Sequence, residues 1–178
     1  MTEFVYFEKI ENETYFEEIF ELMCRFDKAF IPPLSSRKTT TDACLSGLSE
    51  GDEKPVAYLE TMKEQSFVLA LVDGHVRGFM SFRDYYENEA LHLPAGRTLY
   101  ASTCIVDESL RGQGIMSKFY DYMIHDIKDP RPVAVATRTW HTNAPHLRVL
   151  EKHGFELVKR LPNDRGEGID TVYFVKVI

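Results

Sequence analysis

The sequence predicts a mixed α/β fold: a mostly antiparallel sheet flanked by helices, with one parallel crossover near its centre. Three observations carry that expectation. Asp73-Gly74 stands between two apolar runs and is the strongest two-residue hairpin signal in the chain. Residues 99–106 are β-branched, aromatic and free of charge. A polar turn and two glycines then lead into Ile115, Phe119, Tyr122, Met123 and Ile127, which recur at helical spacing. Residues 133–141 form a further apolar strand, so the helix before them is a strand–helix–strand crossover.

From the start of the chain, Phe4, Val5, Tyr6 and Phe7 read as a first strand. Thr14 opens a helix, with Glu17 completing a capping box. Phe16, Ile19, Phe20, Met23, Phe26 and Phe30 lay one apolar stripe along it, read chiefly as core. Ile31-Pro32-Pro33 ends it, because proline removes a donor and restricts its predecessor. A short helix is expected over residues 42–48, stopped by Gly51, and Pro55 starts another that runs to Met62. Residues 29–54 are otherwise irregular, and loops of this kind often carry specificity. Residues 66–72 and 76–83 are the strands on either side of Asp73-Gly74. The long connection over residues 84–96 reads as a solvated loop, with a lid over a site as the sharper alternative. Asn143 caps a later helix that has Pro145 in its first turn and Gly154 just past its end. Residues 155–160 and 169–177 make a closing hairpin.

At 178 residues the chain is long enough to bury a sizeable core and reads as a single domain over residues 1–178. Its net charge of −7 argues against a protein whose main work is gripping nucleic acid. No apolar run reaches the length of a membrane span, and the first residues lack the pattern of a signal peptide, so a cytoplasmic location is expected. Cys24, Cys44 and Cys104 are too widely spaced for a zinc pattern or a disulfide framework. His146 and His153 lie seven apart with no third ligand evident, so no metal site is expected.

The segment after the strand over residues 99–106 carries the chemistry. A strand that feeds a helix through glycines leaves backbone N–H groups pointing outward, and these with the helix dipole favour an anion, above all a phosphate. Gly112 and Gly114 keep side-chain atoms out of the way, and Arg111 adds a fixed positive charge.

Arg111, Gly112, Gln113, Gly114, Ile115 and Met116 resemble the acetyl-CoA pyrophosphate motif of the GNAT acetyltransferase superfamily, Arg/Gln-x-x-Gly-x-Gly/Ala. Arg111 and Gly114 match it and Met116 departs from it. Downstream, Asn143, Glu151, Lys152, Gly154 and Phe155 match the family's second motif, with His146 in place of a small residue and Leu150 in place of the usual Tyr. The phosphate loop of nucleotide-binding proteins is a poorer match, because no Lys-Ser/Thr pair follows the glycines.

The resemblance implies a GNAT-like fold whose middle strands splay apart to admit a pantetheine arm. It implies an N-acetyltransferase that passes an acetyl group from acetyl-CoA to a primary amine of a small molecule or amino acid by direct attack. A peptide or protein acceptor, or a non-catalytic acyl-CoA-binding module, are the alternatives. Either a monomer or a homodimer fits. The implied donor-binding residues are Cys104, Ile105, Val106, Arg111, Gly112, Gln113, Gly114, Ile115, Met116, Ser117 and Asn143. For Asn143 a plain helix cap is the other reading. No carboxylate lies between Thr98 and Val106, and Leu150 cannot donate a proton, so the proton-transfer groups are sought elsewhere. The candidates are His146, on the same helix face as Asn143, His141, Tyr100 with Ser102, and Tyr173. Arg165 is a candidate for an acceptor carboxylate, or else a solvated loop arginine.

Overall fold

The computed structural model describes residues 1–42, 45 and 53–178. Its sheet has seven strands: β1 (Glu3–Phe7), β2 (Ser66–Val72), β3 (His75–Arg83), β4 (Thr98–Val106), β5 (Ala134–Trp140), β6 (Glu156–Leu161) and β7 (Thr171–Val177). They lie in the order β1-β2-β3-β4-β5-β7-β6. Only the β4–β5 pair is parallel. The helices are α1 (Glu13–Phe26), α2 (Val56–Met62), α3 (Ile115–His125) and α4 (Ala144–Lys152). This is the mixed fold and the element order that the sequence predicts.

Both faces of the sheet are covered, and the strand period explains how. Phe67 and Leu69 of β2 join Ile19, Met23, Tyr58 and Met62 in a core under α1 and α2. Val68 and Ala70 face the other way, into a core with Phe119, Met123 and Leu150 from α3 and α4. A strand buried on both faces reads as a continuous apolar run, which is what residues 67–72 are.

The central parallel pair is short. β4 and β5 are in register only from Thr98 opposite Ala134 to Ala101 opposite Thr137. Beyond that, β4 stays with β3 as far as Val106, and β5 stays with β7 as far as Trp140. Each strand follows its own antiparallel partner, so the two diverge and a V opens between them. The divergence begins at a bulge: Ser81 faces Thr103 and Phe82 faces Ala101, which leaves Ser102 as the extra residue.

Several local expectations need correction. The cap of α1 is Asn12, not Thr14 with Glu17: the Asn12 side chain accepts from the N–H groups of Thr14 and Tyr15, so the helix begins at Glu13. It ends at Phe26, and a separate turn of 3₁₀-helix, Asp27–Ala29, carries the chain to Phe30. Asn143 precedes α4 but makes no side-chain cap; its side chain is turned so that the amide nitrogen donates to Thr139 Oγ1 at 2.9 Å. The helix expected over residues 42–48 and its stop at Gly51 lie outside the described residues, apart from Asp42 and Leu45. Asp42 is not helical; its carboxylate accepts from the N–H and hydroxyl of Thr39.

Candidate active site

The opening between β4 and β5 is a cleft of about 770 Å³. It is walled by β4 from Ala101 to Val106, by β5 from Thr137 to Trp140, by the turn before α3, and by the start of α4. The backbone of β4 sets its chemistry. Asp107 N–H donates to the Arg77 carbonyl on the β3 side, and the Ile105 carbonyl also lies toward β3, close to Gly78. Antiparallel strands alternate their polar groups, so the N–H and C=O groups of Cys104 and Val106 face the cleft.

At the end of β4 the chain turns through a 3₁₀ turn, Glu108–Leu110. Asp107 fixes that turn by accepting from the Ser109 N–H and hydroxyl, and it pairs with Arg25 of α1. The Ser109 hydrogen bonds, reinforced by Arg25, hold the Asp107 carboxyl below its ordinary range. Gly112 and Gly114 then take positive φ of 75° and 72°. Gly114 is the residue before α3 and leads into it from the left-handed region. The N–H groups of Gly112, Gly114, Ile115, Met116 and Ser117 donate to no acceptor among the described residues. A Cβ built on either glycine meets no atom of the chain within 4 Å. The turn is therefore open on its outer side, with five free donors and the half-exposed Arg111 beside them. Arg111 lies over the Phe26 ring at 5.2 Å.

The expected donor-binding residues are brought together with one exception. Cys104, Ile105, Val106, Arg111, Gly112, Gly114, Ile115, Met116, Ser117 and Asn143 all line the cleft. Gln113 does not; its amide folds back on the Ser109 carbonyl. Ser117 is bonded to His153 Nε2 at 2.8 Å and accepts from Lys152.

The expected proton-transfer residues are scattered. Tyr100 is buried on the far side of β4, stacked on Tyr86 at 4.3 Å, and burial pushes its hydroxyl well above the usual range. Tyr173 is buried and accepts from Arg138 rather than reaching the cleft. His141 Nδ1 accepts from the Asp170 N–H at 3.0 Å, which ties the ring to the last hairpin. Ser102 does line the cleft, bonded to Gln65 Oε1 at 2.5 Å, and Gln65 in turn donates to Thr40. His146 also lines it, but buried rather than solvated. Burial, and secondarily the Arg165 charge, pull it down to about 4. At neutral pH it is a neutral imidazole and cannot serve as a proton donor in imidazolium form.

In this cleft, Tyr120, Arg37 and Arg138 escape sequence reasoning. Tyr120 of α3 reaches it and shares a 2.7 Å hydrogen bond with His146 Nε2. In the sequence it is one more aromatic beside Phe119. Arg138 and Arg37 line the opposite part of the cleft together with Arg165. Arg138 had a signal, a charge inside an otherwise apolar strand. Cys104, expected in the cleft wall, is there, and burial pushes its thiol up to about 12, so it stands as a neutral thiol and not as a thiolate nucleophile.

Comparison with known proteins fits this geometry. The acetyltransferase (GNAT) family profile matches residues 35–155. No curated protein matches the sequence closely enough to be counted a relative. Among solved structures, an N-acetyltransferase from Staphylococcus aureus Mu50 aligns over 98% of each chain at 16% identity with a TM-score of 0.66. A chain of the NatC complex bound to Gag peptide and CoA aligns over 99% of each chain at 18% identity and 0.64. Arabidopsis thaliana NAA60 in complex with a bisubstrate analogue aligns over 99% of this chain and 98% of its own, at 16% and 0.63. At such identities these likenesses speak to the fold alone, and the family profile, which spans well over half of the chain, carries the assignment. The chain belongs to the acetyltransferase (GNAT) family.

Proposed function

We propose that this protein transfers an acetyl group from acetyl-CoA to a primary amine by direct attack, with a small-molecule acceptor. The observation that carries the reading is the continuous path of free polar backbone down the cleft, from the Cys104 and Val106 edge of β4 to the five open N–H groups after Arg111. That path fits the donor. The glycine turn and Arg111 suit a pyrophosphate, as glycine-rich helix starts do. The unpaired edge of β4 suits the amides of a pantetheine arm, which can pair with it as an added strand does. Asn143 lines the same cleft, its amide nitrogen bonded to Thr139. When bound, acetyl-CoA supplies an activated acyl group on a good leaving group.

The chain's residues then position and polarise. To the Val106 N–H, which faces the cleft, we assign donation to the thioester carbonyl oxygen as charge grows there. The Cys104 thiol in the cleft wall, which burial keeps neutral, favours one direct step over an acyl-enzyme. The new bond joins the acceptor nitrogen to the acyl carbon, the carbon–sulfur bond breaks, the nitrogen sheds a proton and the sulfur gains one. Leu150 is fully buried and takes no part. The Tyr120 hydroxyl is the group we assign to the departing sulfur: when His146 Nε2–H donates to Tyr120 Oη, the Tyr120 proton is turned away from His146, toward the Thr137 side of the cleft.

A small acceptor is favoured by how the cleft is closed opposite the glycine turn. There Arg165 and Arg37 are bonded to the carbonyls of Ile31 and Pro32, which joins the last hairpin loop to the connection after α1. The test is incubation of the full chain with acetyl-CoA and a panel of amines, read by free thiol and by product mass. Thiol release with acetylated amine is expected. Tight acetyl-CoA binding without release across the panel would mean a non-catalytic acyl-CoA-binding module.

A further inference from the structure

The cleft has two differently built ends, and the strand period separates them. Thr137 and Thr139 of β5 face the α3–α4 side, where Thr139 meets Asn143 and Thr137 lies against Tyr120. Arg138, between them, faces the α1–α2 side and donates to the carbonyls of Asp42 and Thr40. Arg37 reaches the same place from the connection after α1, and Arg165 from the loop between β6 and β7.

Three guanidinium groups thus line one end of one cleft, and Arg37 and Arg165 are buried to 6% exposure. Among the described residues, no carboxylate forms an ion pair with any of the three. Among the described residues, the acidic groups beside them are hydrogen-bonded to hydroxyls: Asp164 accepts from Thr171 Oγ1, and Asp42 from Thr39. Each guanidinium is held in place by neutral contacts. Arg37 donates to the Pro32 carbonyl and lies near the Phe30 ring; Arg165 donates to Ile31 and Thr171 and lies near Trp140; Arg138 lies near Tyr173. Arg37 Nη1 and Arg165 Nη2 donate to nothing among the described residues.

Buried like charges with no direct ion pair are costly, even with Asp164 near Arg165 and Asp42 near Arg37, and a chain with a net charge of −7 has ample carboxylate that could have been paired with them. The cost shows in Arg165, which burial and its neighbours Arg37 and Arg138 bring down to about 9. A pre-formed, aromatic-backed cluster of forks is the arrangement that recognises an oxyanion bidentately.

We infer that the acceptor carries an oxyanion, a carboxylate or a phosphoryl group, close to the amine that is acetylated, and that Arg37, Arg138 and Arg165 bind it. This rests on the acetyltransfer reading for the amine but not for the anion site, and the two are separable by experiment. The chain has one tryptophan, Trp140, in the wall of this end of the cleft with Arg165 beside it, so its fluorescence reports on the site without any turnover.

The full chain is titrated with sulfate, glutamate and methylphosphonate, and with the uncharged glutamine amide. A saturable change in Trp140 emission is expected with the anions, at least tenfold weaker with the amide, weakened at least tenfold by Arg165→Lys, and kept by Arg111→Ser. Arg138→Lys is read in the same way should Arg165→Lys lower the melting temperature enough to cloud the result. Matched acceptor pairs, each an amino acid and its carboxamide, are then compared by thiol release, with at least a hundredfold preference in kcat/KM for one acid expected. No saturable response in the wild-type chain, or a response lost in Arg111→Ser and kept in Arg165→Lys, overturns the inference. A normal anion response with no thiol release from any amine leaves the anion site standing and instead defeats acetyl transfer. Equal use of acids and amides defeats the inference while acetyl transfer stands.

Discussion

Neutral His146 has a measurable consequence for stability. The perturbation is acidification, with His146→Gln as the non-titrating reference; Gln still offers Tyr120 a hydrogen-bond partner. In the unfolded chain a histidine titrates near its ordinary value of 6.5, and in the folded chain His146 titrates at about 4 because it is buried and Arg165 is close. Between those values the unfolded chain binds a proton that the folded chain does not. Stability from this group is therefore full above the unfolded value and is lost as pH falls toward the folded one. Each unit of difference is worth about 1.4 kcal/mol, so going from about pH 7 to about pH 5 removes roughly 2 kcal/mol at this one residue. Urea denaturation of the wild type and of His146→Gln at several pH values in that interval reads it directly. Titration of the other groups is common to both proteins, so the difference between the two curves belongs to His146. We expect the wild type to lose about 2 kcal/mol more than the variant. Parallel curves would refute the reasoning, and would return His146 to the role of an ordinary, solvated histidine able to donate a proton.

Other expected outcomes are as specific. Tyr120→Phe lowers kcat roughly tenfold or more, with the KM for acetyl-CoA unchanged, since a positioned acid contributes on that scale; an unaltered kcat would remove Tyr120 from sulfur protonation. Leu150→Tyr does not raise turnover and costs about 1–3 kcal/mol, because position 150 lies in the core under α3 and α4 and an added ring overpacks it. Equal stability with faster turnover would mean the position faces the cleft. Gly114→Ala folds, since its Cβ meets no atom of the chain. It is expected to lose about 1–2 kcal/mol from its left-handed backbone, and calorimetry should show weaker acetyl-CoA binding.

The parts of this fold that the sequence discloses are those fixed by local chemistry. Asp73-Gly74 takes positive φ at both residues, as the hairpin requires, and Gly154 takes φ of 70° just past α4. The turn from Arg111 to Met116 was legible because backbone donors and glycines do their work without help from distant residues. Of the acceptor end only Arg165 was legible, and the rest was hidden for the opposite reason. Arg37, Arg138 and Arg165 meet only because an irregular connection, the middle of β5 and a hairpin loop converge across the diverging strands, and no spacing in the chain encodes that meeting. Tyr120 was hidden for a similar cause, since its partner His146 lies on another helix. The two misplaced caps have a different origin. Asn12 and Thr14 are both competent caps, and Asn143 had an alternative partner in Thr139 that only the fold supplies.

The central claim is that the glycine turn after β4 holds the pyrophosphate of acetyl-CoA while the β4 edge holds the arm. Isothermal titration of acetyl-CoA into the wild-type chain and into Arg111→Glu tests it most directly. Saturable one-to-one binding to the wild type is expected, with at least a tenfold loss on charge reversal, about 1.4 kcal/mol or more. Absence of binding to the wild type, or equal affinity in the two proteins, would contradict it.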